Sequence, residues 1–532
     1  MKTVMKAAML LSTIFVASGA SAQTSGRATL TSIDGAIIVE GTISKVENGS
    51  YIVVTQLGTM TLPMREYFCD GDCPSDVVSS GTTTTSEKAS VSANAGTAFS
   101  IRGSRTIGTN LMPNLIKAYA ESIGATYEIA EVAPAERVIT LKKGNEVIAE
   151  IDFQTKGSGT AFPALGDGLA EFGMADRRMN DGDLKALAAG GIGDLRDTEN
   201  EIVLGLDGLV TVVNPGNPLN EISFRDLSRL YSGEAKNWSD VGGPNLPVTL
   251  HSWPDGSGDR AIFLSRAVEP FGRTESEAAV EHSEYAEIPA AVLADPGAVG
   301  YVGRSFVGTE AKILPIRESC GLVSPPTNFR MKTEGYALSR RIYIYRKPGE
   351  IHPIAQEIID FAFTPKGQEV IVASGFVDSQ LETQTLADMT IALDHAKTQP
   401  DFDEATYQEL VSEMANAKRL SVTFRFEFGR ARLDPLSARN VDAFVEKLAA
   451  GAFKGREIMV AGFADSVGKA SSNKELAFRR AQSVADLIKS GLAGKGTDLK
   501  ITPVSYGELL PFLCEEDEFG RAANRRVEIW VR

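Results

Sequence analysis

Residues 147–160 read Val-Ile-Ala-Glu-Ile-Asp-Phe-Gln-Thr-Lys-Gly-Ser-Gly-Thr, a strand-like run that passes into a glycine-rich turn. The same order returns where the apolar run 209–213 precedes a helix-like segment at 224–231. Strands that alternate with helices in this way indicate an α/β unit. We therefore predict an α/β fold for residues 97–380, a length that suits two lobes.

The first residues predict a secretory signal peptide over residues 1–22. Lys2 and Lys6 precede an apolar run at 7–20, and Ala20-Ser21-Ala22 forms a small-residue cleavage site. The run is too short to span a bilayer, and no later stretch reaches about 18 uncharged apolar residues. We expect an exported chain with no transmembrane segment in its mature form.

Two short regions separate this peptide from the α/β unit. Residues 23–74 contain β-rich runs at 36–39 and 51–54 with Asp-Gly and Asn-Gly turns, which predicts a small β module. Residues 75–96 are rich in Ser, Thr, Ala and Gly, which predicts a flexible linker.

The cysteines raise a separate question, because an exported chain can form disulfides. Cys69 and Cys73 are close enough in sequence for a small loop-closing bridge, with two free thiols as the alternative. Cys320 and Cys514 lie in different regions, and the sequence leaves their pairing open.

The C-terminal part begins with a mainly polar connector at 381–418, where we expect one helix between Asp403 and Lys418. An alternating apolar pattern then opens residues 419–532 at Val422, Phe424, Phe426 and Phe428. This pattern predicts a strand with one buried face. Helical spacing, a second strand and helix, and a final alternating strand follow, so we predict an α+β domain.

Composition limits the possible functions. The chain has 532 residues, which predicts roughly three or four domains. A net charge of −15 argues against a general nucleic-acid binder, which needs clustered cations. With four Cys and four His, we expect no metal and no cofactor. The histidines are scattered at His251, His282, His352 and His395. Their positions do not match the spacing of a catalytic nucleophile and its general base. We therefore predict that the protein is not an enzyme.

Three glycine-hydroxyl motifs stand out in the α/β region: Gly103-Ser104-Arg105-Thr106, Gly157-Ser158-Gly159-Thr160 and Asp255-Gly256-Ser257-Gly258. Each follows an extended segment and precedes a helical one. Backbone N–H groups and hydroxyls at such helix starts attract anions. Taken singly, each motif could equally be a turn with a Ser or Thr helix cap. Three in one α/β region favour an anion site.

These motifs resemble the PstS-like periplasmic phosphate-binding proteins of ABC transporters. The resemblance covers most of residues 97–380 and recurs in order through further segments: Phe172-Gly173-Met174-Ala175-Asp176-Arg177-Arg178, Leu206-Asp207-Gly208, Leu230-Tyr231-Ser232-Gly233 with Asn237-Trp238, Gly297-Ala298-Val299-Gly300-Tyr301 and Leu338-Ser339-Arg340-Arg341. It implies a type II periplasmic-binding fold, with two α/β lobes that close on a ligand.

The resemblance also implies a set of anion-binding residues: Ser104, Thr106, Ser158, Gly159, Thr160, Asp176, Ser257 and Gly258. Asp176 is the informative member, because a carboxylate acceptor admits hydrogen phosphate and repels fully ionised sulfate. The alternative for Asp176 is a surface carboxylate paired with Arg177 or Arg178.

Two positions depart from the family pattern. Trp253 stands where the family usually has an arginine, and Asp259 stands where it has a threonine. Both changes weaken a dianion site. Arg260 could neutralise Asp259, and the missing cation could come from one of three other arginines, Arg105, Arg177 or Arg178.

The C-terminal segment 419–532 resembles the OmpA-like peptidoglycan-binding domain. The resemblance is carried by Gly462-Phe463-Ala464-Asp465-Ser466-Val467-Gly468, Asn473, Leu476, Arg480-Ala481, Tyr506-Gly507-Glu508 and Asn524-Arg525-Arg526-Val527-Glu528. It implies recognition of the zwitterionic diaminopimelate of the stem peptide, with Asp465 on the ammonium and Arg480 on the carboxylate. Asn473 and Arg525 are secondary candidates. The alternative is a structural salt bridge between Asp465 and Arg480.

Together these patterns predict a periplasmic solute-binding protein for phosphate or a related small anion, held non-covalently to peptidoglycan. The resemblance also implies an ABC-transporter permease as a partner and the inner face of the outer membrane as a candidate location. Residues 419–532 carry a net charge of +4 and the rest −19, which suits a basic tail on an acidic wall. The alternative is a structural or envelope-sensing wall-binding protein whose receptor domain docks a partner.

Overall fold

The computed structural model describes residues 28–32, 38–47, 50–55, 58–63, 67–71, 98–255, 257–399, 402–426, 432–496 and 499–532. The predicted signal peptide, the linker at 75–96, the side chains of the Cys69–Cys73 pair and Phe428 lie outside the part whose side chains are described. The described residues up to 71 belong to one compact unit, and those from 98 onwards belong to another.

The N-terminal unit is a small antiparallel sheet with the strand order β4-β3-β2-β1-β5. Its strands are β1 (Ala28–Ser32), β2 (Ile38–Glu47), β3 (Ser50–Thr55), β4 (Gly58–Pro63) and β5 (Tyr67–Gly71). Alternating apolar side chains, among them Leu30 and Val53, make its core. The β-rich pattern of residues 23–74 therefore corresponds to a sheet.

The second unit begins with a mixed sheet that continues through two lobes in the order β14-β13-β15-β11-β19-β10-β6-β9-β8-β7. The strands of this region are β6 (Ala98–Gly103), β7 (Thr126–Ala133), β8 (Glu136–Lys143), β9 (Glu146–Gln154), β10 (Phe172–Ala175), β11 (Glu201–Val213), β12 (Ile222–Ser223), β13 (Thr249–Ser252), β14 (Val280–Glu281), β15 (Ala298–Gly303), β16 (Lys312–Leu314), β17 (Ile316–Arg317), β18 (Val323–Ser324) and β19 (Ser339–Arg346). The helices are α1 (Met112–Ser122), α2 (Ala161–Gly166), α3 (Asp181–Ala189), α4 (Phe224–Tyr231), α5 (Gly258–Ala267), α6 (Glu287–Ala294), α7 (Asn328–Lys332), α8 (Pro353–Ala362) and α9 (Pro365–Ala373).

The chain crosses between the lobes along two long antiparallel strands, β11 and β19. Leu204 belongs to the core of the first lobe and Leu206 to the core of the second, so β11 changes lobe at Gly205. The register shifts at the same place, between Val203 and Gly205. A third crossing is made at Val377, which pairs with Leu206. These crossings confirm the predicted two-lobed α/β architecture.

The C-terminal domain is a sheet of order β20-β21-β24-β22-β23 with helices on both faces. Its elements are β20 (Thr383–Thr385), α10 (Thr390–Ala396), α11 (Glu404–Met414), β21 (Lys418–Arg425), α12 (Pro435–Ala449), β22 (Glu457–Phe463), α13 (Ala470–Leu492), β23 (Lys500–Ser505), α14 (Glu518–Asn524) and β24 (Arg526–Val531).

The connector is more structured than we expected from its polar composition. It supplies two helices, α10 and α11, as well as the edge strand β20 that pairs with β21. The two helices cover the face of the sheet that carries Met459 and Trp530. The expectation of one buried face for β21 is wrong, because Arg419 and Thr423 on its second face are buried as well.

The C-terminal domain is joined to the second lobe by a disulfide between Cys320 and Cys514. Beside it, the side chain of Glu318 accepts a 2.8 Å hydrogen bond from the backbone N–H of Cys514. Phe512 packs with Ala337 of the second lobe. The sequence left the Cys320–Cys514 pairing open, and the structure shows that it links the receptor region to the C-terminal domain.

A buried ion network reinforces this junction around Glu334. Its carboxylate accepts hydrogen bonds from Arg341 at 2.6 and 2.8 Å and from Arg425 of the C-terminal domain at 2.9 Å. Arg341 also donates to Asp434, the N-cap of α12, at 2.8 Å. Burial alone would raise the pKa of Glu334, but the two arginines outweigh it and lower the pKa to about 2.

The C-terminal domain also contacts the first lobe through α12. Leu436 packs against the first-lobe cluster that contains Phe162 and Tyr343. Arg439 donates a 2.6 Å hydrogen bond to the backbone carbonyl of Thr198. The domain therefore packs on both lobes of the receptor region. Among the described residues, no helix is both long and apolar enough to cross a membrane.

Glu334→Gln is expected to destabilise the full chain by about 3 kcal/mol at pH 7, because it leaves two buried guanidinium groups without their carboxylate. Since the Glu334 pKa falls from 4.5 to about 2 on folding, its stabilisation is present above pH 4.5 and disappears as the pH approaches 2. Urea unfolding across this range measures the difference. The control is Glu475→Gln, which breaks an exposed 3.9 Å pair with Arg479. Equal losses for both variants would contradict the assigned network.

Candidate functional site

Parallel strands in the first lobe bring three predicted site residues to one edge of the sheet. Strand β6 pairs in parallel with both β9 and β10, so their carboxyl ends meet. Ser104 follows β6 directly, Asp176 follows β10 directly, and Ser158 lies just beyond β9. Ligands of open α/β sheets bind at this edge.

Asp176 is the centre of the hydroxyl ring. Its carboxylate accepts hydrogen bonds from Ser104 Oγ at 3.3 Å and Thr106 Oγ1 at 2.9 Å, and from Ser158 Oγ. Its backbone N–H donates to Ser158 Oγ at 3.1 Å. Asp176 is only 4% exposed, and it does not pair closely with Arg177 or Arg178. The surface-carboxylate alternative is therefore wrong.

The second lobe meets this ring across the cleft. Gly258, the first residue of α5, lies so close that an added Cβ would be 2.9 and 3.0 Å from the two carboxylate oxygens of Asp176. The hydroxyl of Tyr285 lies 2.9 Å from Thr106 Oγ1, and its ring stacks on Phe306. The two lobes are therefore in direct contact over the hydroxyl ring.

Arg340 provides the positive charge of the cleft. It faces Asp207 across the β11–β19 pair and donates to it from Nε at 3.1 Å and from Nη2 at 2.7 Å. Its Nη1 donates to Asp259 and lies 3.8 Å from Asp176. The Arg340 side chain is 3% exposed. One guanidinium thus faces three carboxylates, which gives the cluster a formal charge of −2.

Asp259 lies at the centre of this cluster beside Arg340. It is 1% exposed, and burial raises its pKa to about 6; Arg340 opposes the rise and Asp176 adds to it. Its Oδ2 is buried and has no hydrogen-bond donor among the described residues. The cleft therefore contains an unused acceptor.

The expected source of charge compensation is wrong. Arg260 pairs with Glu275 and Asp255, and Asp259 takes Arg340 as its partner. Arg177 pairs with Asp183, Arg178 pairs with Glu201, and Arg105 is exposed. Each of these arginines has a local acidic partner or faces solvent, so none reaches the cleft.

The remaining predicted residues have supporting positions. Ser257 accepts from the backbone of Arg260 as the N-cap of α5. Thr160 donates to the Gly157 carbonyl at 2.8 Å, so its hydroxyl stabilises the turn of its own motif. Gly159 has no side chain with which to bond Asp176. Trp253 donates to the Tyr301 carbonyl and packs near Tyr285, as part of the second-lobe core.

Sequence reasoning did not assign Arg340 and Asp207 to the site. Both belong to segments that carry the family resemblance, Leu206-Asp207-Gly208 and Leu338-Ser339-Arg340-Arg341. The available signal was the presence of one acidic and one basic residue in two strand-like segments. The sequence alone does not show that they pair, because pairing depends on the register between β11 and β19.

A second candidate site lies in the C-terminal domain, where β22 ends. Asp465 accepts a 2.6 Å hydrogen bond from Arg525, which also pairs with Glu518. Asn473 donates to the carbonyls of Asp465 and Val467 at 3.1 and 3.0 Å and fixes this loop. The ion partner of Asp465 is therefore Arg525, and the alternative of an Asp465–Arg480 salt bridge is wrong.

Arg480 faces the same loop from α13. Its Nη1 is buried without a hydrogen-bond acceptor among the described residues, and its guanidinium lies 5.7 Å from the Phe426 ring centroid. Burial, together with repulsion from Arg525, lowers its pKa, while Asp465 opposes the shift. An unpaired donor near a carboxylate can bind a zwitterion. Glu518 was not predicted, because its position in the acidic run 515–518 at the start of α14 gave no distinguishing signal.

A cavity of about 570 Å³ lies beside this loop. It is bounded by Phe402 and Thr406 of the connector, by Ser466 and Glu515, and by the Cys320–Cys514 bridge. The connector thus forms a wall next to the loop that carries Asp465.

Two parts of the chain match known protein families. Residues 143–366 match a model described as a PBP superfamily domain, and residues 425–525 match the OmpA family. The chain is 30% identical over 228 residues to the phosphate-binding protein PstS of Bacillus subtilis, covering 42% of this chain and 69% of that protein.

Solved structures give lower overall similarity. An ABC-type phosphate transport receptor from Vibrio cholerae shares 20% identity with a TM-score of 0.40, covering 52% of this chain and 99% of that chain. A peptidoglycan-associated lipoprotein from Burkholderia pseudomallei shares 22% identity with a TM-score of 0.19, covering 21% of this chain and 89% of that chain.

Gly258→Ala is expected to hold the lobes apart, because the added methyl would lie within 3.0 Å of Asp176. Small-angle X-ray scattering of the full chain should show a larger radius of gyration than the parent protein. Gly308→Ala is the matched control, since a Cβ at Gly308 meets nothing within 4 Å. Identical scattering from the two variants would contradict the closed cleft.

Proposed function

This chain belongs to the family of PstS phosphate-binding proteins and carries a C-terminal OmpA domain, and on that basis we propose that it is a wall-anchored receptor for phosphate or a related small anion. The relatives named above are phosphate-binding proteins, and we propose that this chain likewise binds its ligand without transforming it. The proposal has two parts, a cleft that takes the anion and a loop that holds the cell wall.

The observation that carries the first part is the convergence of hydroxyls and one buried guanidinium at the lobe boundary. Ser104, Thr106 and Ser158 can rotate their hydroxyls from Asp176 towards a bound oxyanion. Asp176 would then accept a hydrogen bond from a protonated ligand oxygen, and Arg340 would supply charge. The helix start at Gly258 would add backbone donors from the second lobe.

The second part rests on Asp465 and Arg480. A diamino acid at the end of a stem peptide carries an ammonium and a carboxylate close together. Asp465 would accept from the ammonium, and the buried, unpaired Nη1 of Arg480 would donate to the carboxylate. Asn473 and Arg525 position Asp465, and the adjoining cavity gives room for more of the peptide.

We propose that a protein with these two activities works in the periplasm in association with peptidoglycan, with the inner face of the outer membrane as the candidate location. A closed, loaded receptor of this family would deliver its anion to an ABC-transporter permease, which is the expected membrane partner. The rigid junction between receptor and wall domain means that the cleft would be presented at a fixed place on the wall.

One observation favours the second candidate, an envelope-sensing or structural protein that docks a partner. The hydroxyls of the cleft already donate to Asp176, and Tyr285 bridges the lobes, so the closed cleft satisfies its own donors. Calorimetric titration with phosphate separates the two functions, because the second candidate predicts no saturable heat.

Asp176→Ala is expected to weaken phosphate binding by about tenfold or more, because a charge-assisted hydrogen bond contributes about 1.5–3 kcal/mol. Isothermal titration of the full chain measures the loss. Asp181→Ala, at an exposed position on α3, is the control and should bind as the parent does. Unchanged affinity in Asp176→Ala would move the anion away from this cleft.

Arg480→Ala and Asp465→Ala are each expected to reduce co-sedimentation with purified peptidoglycan by about tenfold or more, since each removes a charged partner of the zwitterion. Arg479→Ala is the control, because the neighbouring Arg479 side chain is 66% exposed on α13. Free diaminopimelate should compete with the parent protein for the wall. Full pelleting of both site variants would refute the anchoring proposal.

A further inference from the structure

Asp259 gives this cleft an electrostatic property that its family resemblance does not imply. It follows Gly258 at the start of α5, and one of its oxygens accepts from Arg340. The other oxygen, Oδ2, is buried with no donor among the described residues. A threonine at this position would offer a hydroxyl donor to an anion, whereas a carboxylate offers only an acceptor.

The groups that face Asp259 do not cancel its charge. Asp176 and Asp207 lie around the same guanidinium of Arg340. Tyr285 and Tyr301 are the other titratable groups that interact with Asp259, and burial raises the pKa of both phenols, so they stay neutral. With Arg260 turned to Glu275, the cluster keeps a formal charge of −2 before any ligand enters.

A fully ionised oxyanion therefore meets a site with surplus negative charge and an unused acceptor. An anion that carries an additional proton would have one negative charge fewer. The same proton would also give Asp259 Oδ2 a hydrogen-bond donor. One O–H of the ligand would donate to Asp176 and a second to Asp259. Asp176 and Asp259 are 4% and 1% exposed, so solvent screens the charges of these carboxylates only weakly.

We infer that Asp259 is a specificity-determining residue that makes the cleft bind phosphate together with one more proton than hydrogen phosphate carries, so that it selects the singly charged, doubly protonated form. The inference rests on the proposed anion-binding function. The extra proton lies between a ligand oxygen and Asp259 Oδ2. The raised pKa of Asp259, about 6, agrees with a carboxyl group that gains a proton in this range.

The sign of the pH dependence follows from this proton. At about pH 8, free phosphate is mostly doubly charged and Asp259 is ionised, so binding must take up a proton from solution. The affinity for total phosphate should then fall by up to about tenfold for each pH unit gained. Sulfate carries no proton near neutral pH, and it should give no saturable binding to the parent protein.

The test is isothermal titration of the full chain with inorganic phosphate between about pH 6 and pH 8.5, in buffers of different ionisation enthalpy that count protons. Asp259→Asn and Asp259→Thr supply a donor in place of the acceptor. Both should take up about one proton fewer than the parent and lose the steep pH dependence. Asp181→Asn, at an exposed position on α3, is the control and should behave as the parent does.

The outcomes separate this inference from the proposed function. Phosphate binding by the parent without extra proton uptake, or with the same uptake in Asp259→Asn and Asp259→Thr, would overturn the role of Asp259 and leave the receptor function standing. No binding of phosphate by the parent or by either variant at any pH would overturn both. Circular dichroism melting curves establish that the variants are folded, and having two variants guards against the failure of one.

Discussion

Two adjacent buried guanidinium groups on β19, Arg340 and Arg341, are the constraint on which the rest of this structure depends. Successive side chains of a strand point to opposite faces, so the two charges serve different neighbourhoods. Arg340 faces the cleft. Its guanidinium lies near Asp176, which follows β10, and pairs with Asp207 of β11 and Asp259 of α5. Arg341 faces the C-terminal domain and binds Glu334 and Asp434. An uncompensated buried guanidinium is very costly, so each arginine fixes the geometry of its acidic partners.

The two networks differ in their charge balance. We infer from this difference that one network has a structural role and the other a role in ligand binding. Around Glu334, two arginines share a carboxylate that stays ionised, with its pKa lowered to about 2. Around Arg340, the carboxylates outnumber the cation, and burial raises the pKa of Asp259 to about 6 despite the opposing effect of Arg340. The first network is satisfied and suits a permanent junction. The second has an open acceptor and suits a site that changes its protonation when a ligand enters.

The sequence predicted the parts of this protein that depend on local pattern. Alternating strands and helices indicated the α/β lobes, the glycine-hydroxyl turns contained Ser104, Thr106 and Ser158, and the family resemblance added Asp176. The sequence did not reveal which charged residues form ion pairs. That pairing depends on strand register and on crossings between segments that are far apart in the chain. Asp259 lies next to Arg260 in sequence but pairs with Arg340, and Asp465 pairs with Arg525, 60 residues away. The polar composition of the connector likewise did not predict how much of it is structured. Its few apolar residues, such as Leu410 and Met414, are enough to cover one face of the sheet.

The position of the C-terminal domain changes what the receptor region can do. The disulfide and the Glu334 network fix it to the second lobe, while Leu436 and Arg439 on α12 touch the first lobe. If the lobes separate about the Gly205 crossing, the domain must either stay with the second lobe and lose the α12 contacts, or strain the junction at Arg341. The α12 contacts with the first lobe include a half-buried leucine and an exposed hydrogen bond, whereas the junction contains a disulfide and a buried ion network. We therefore expect that opening of the cleft would separate α12 from the first lobe and that the C-terminal domain would move with the second lobe.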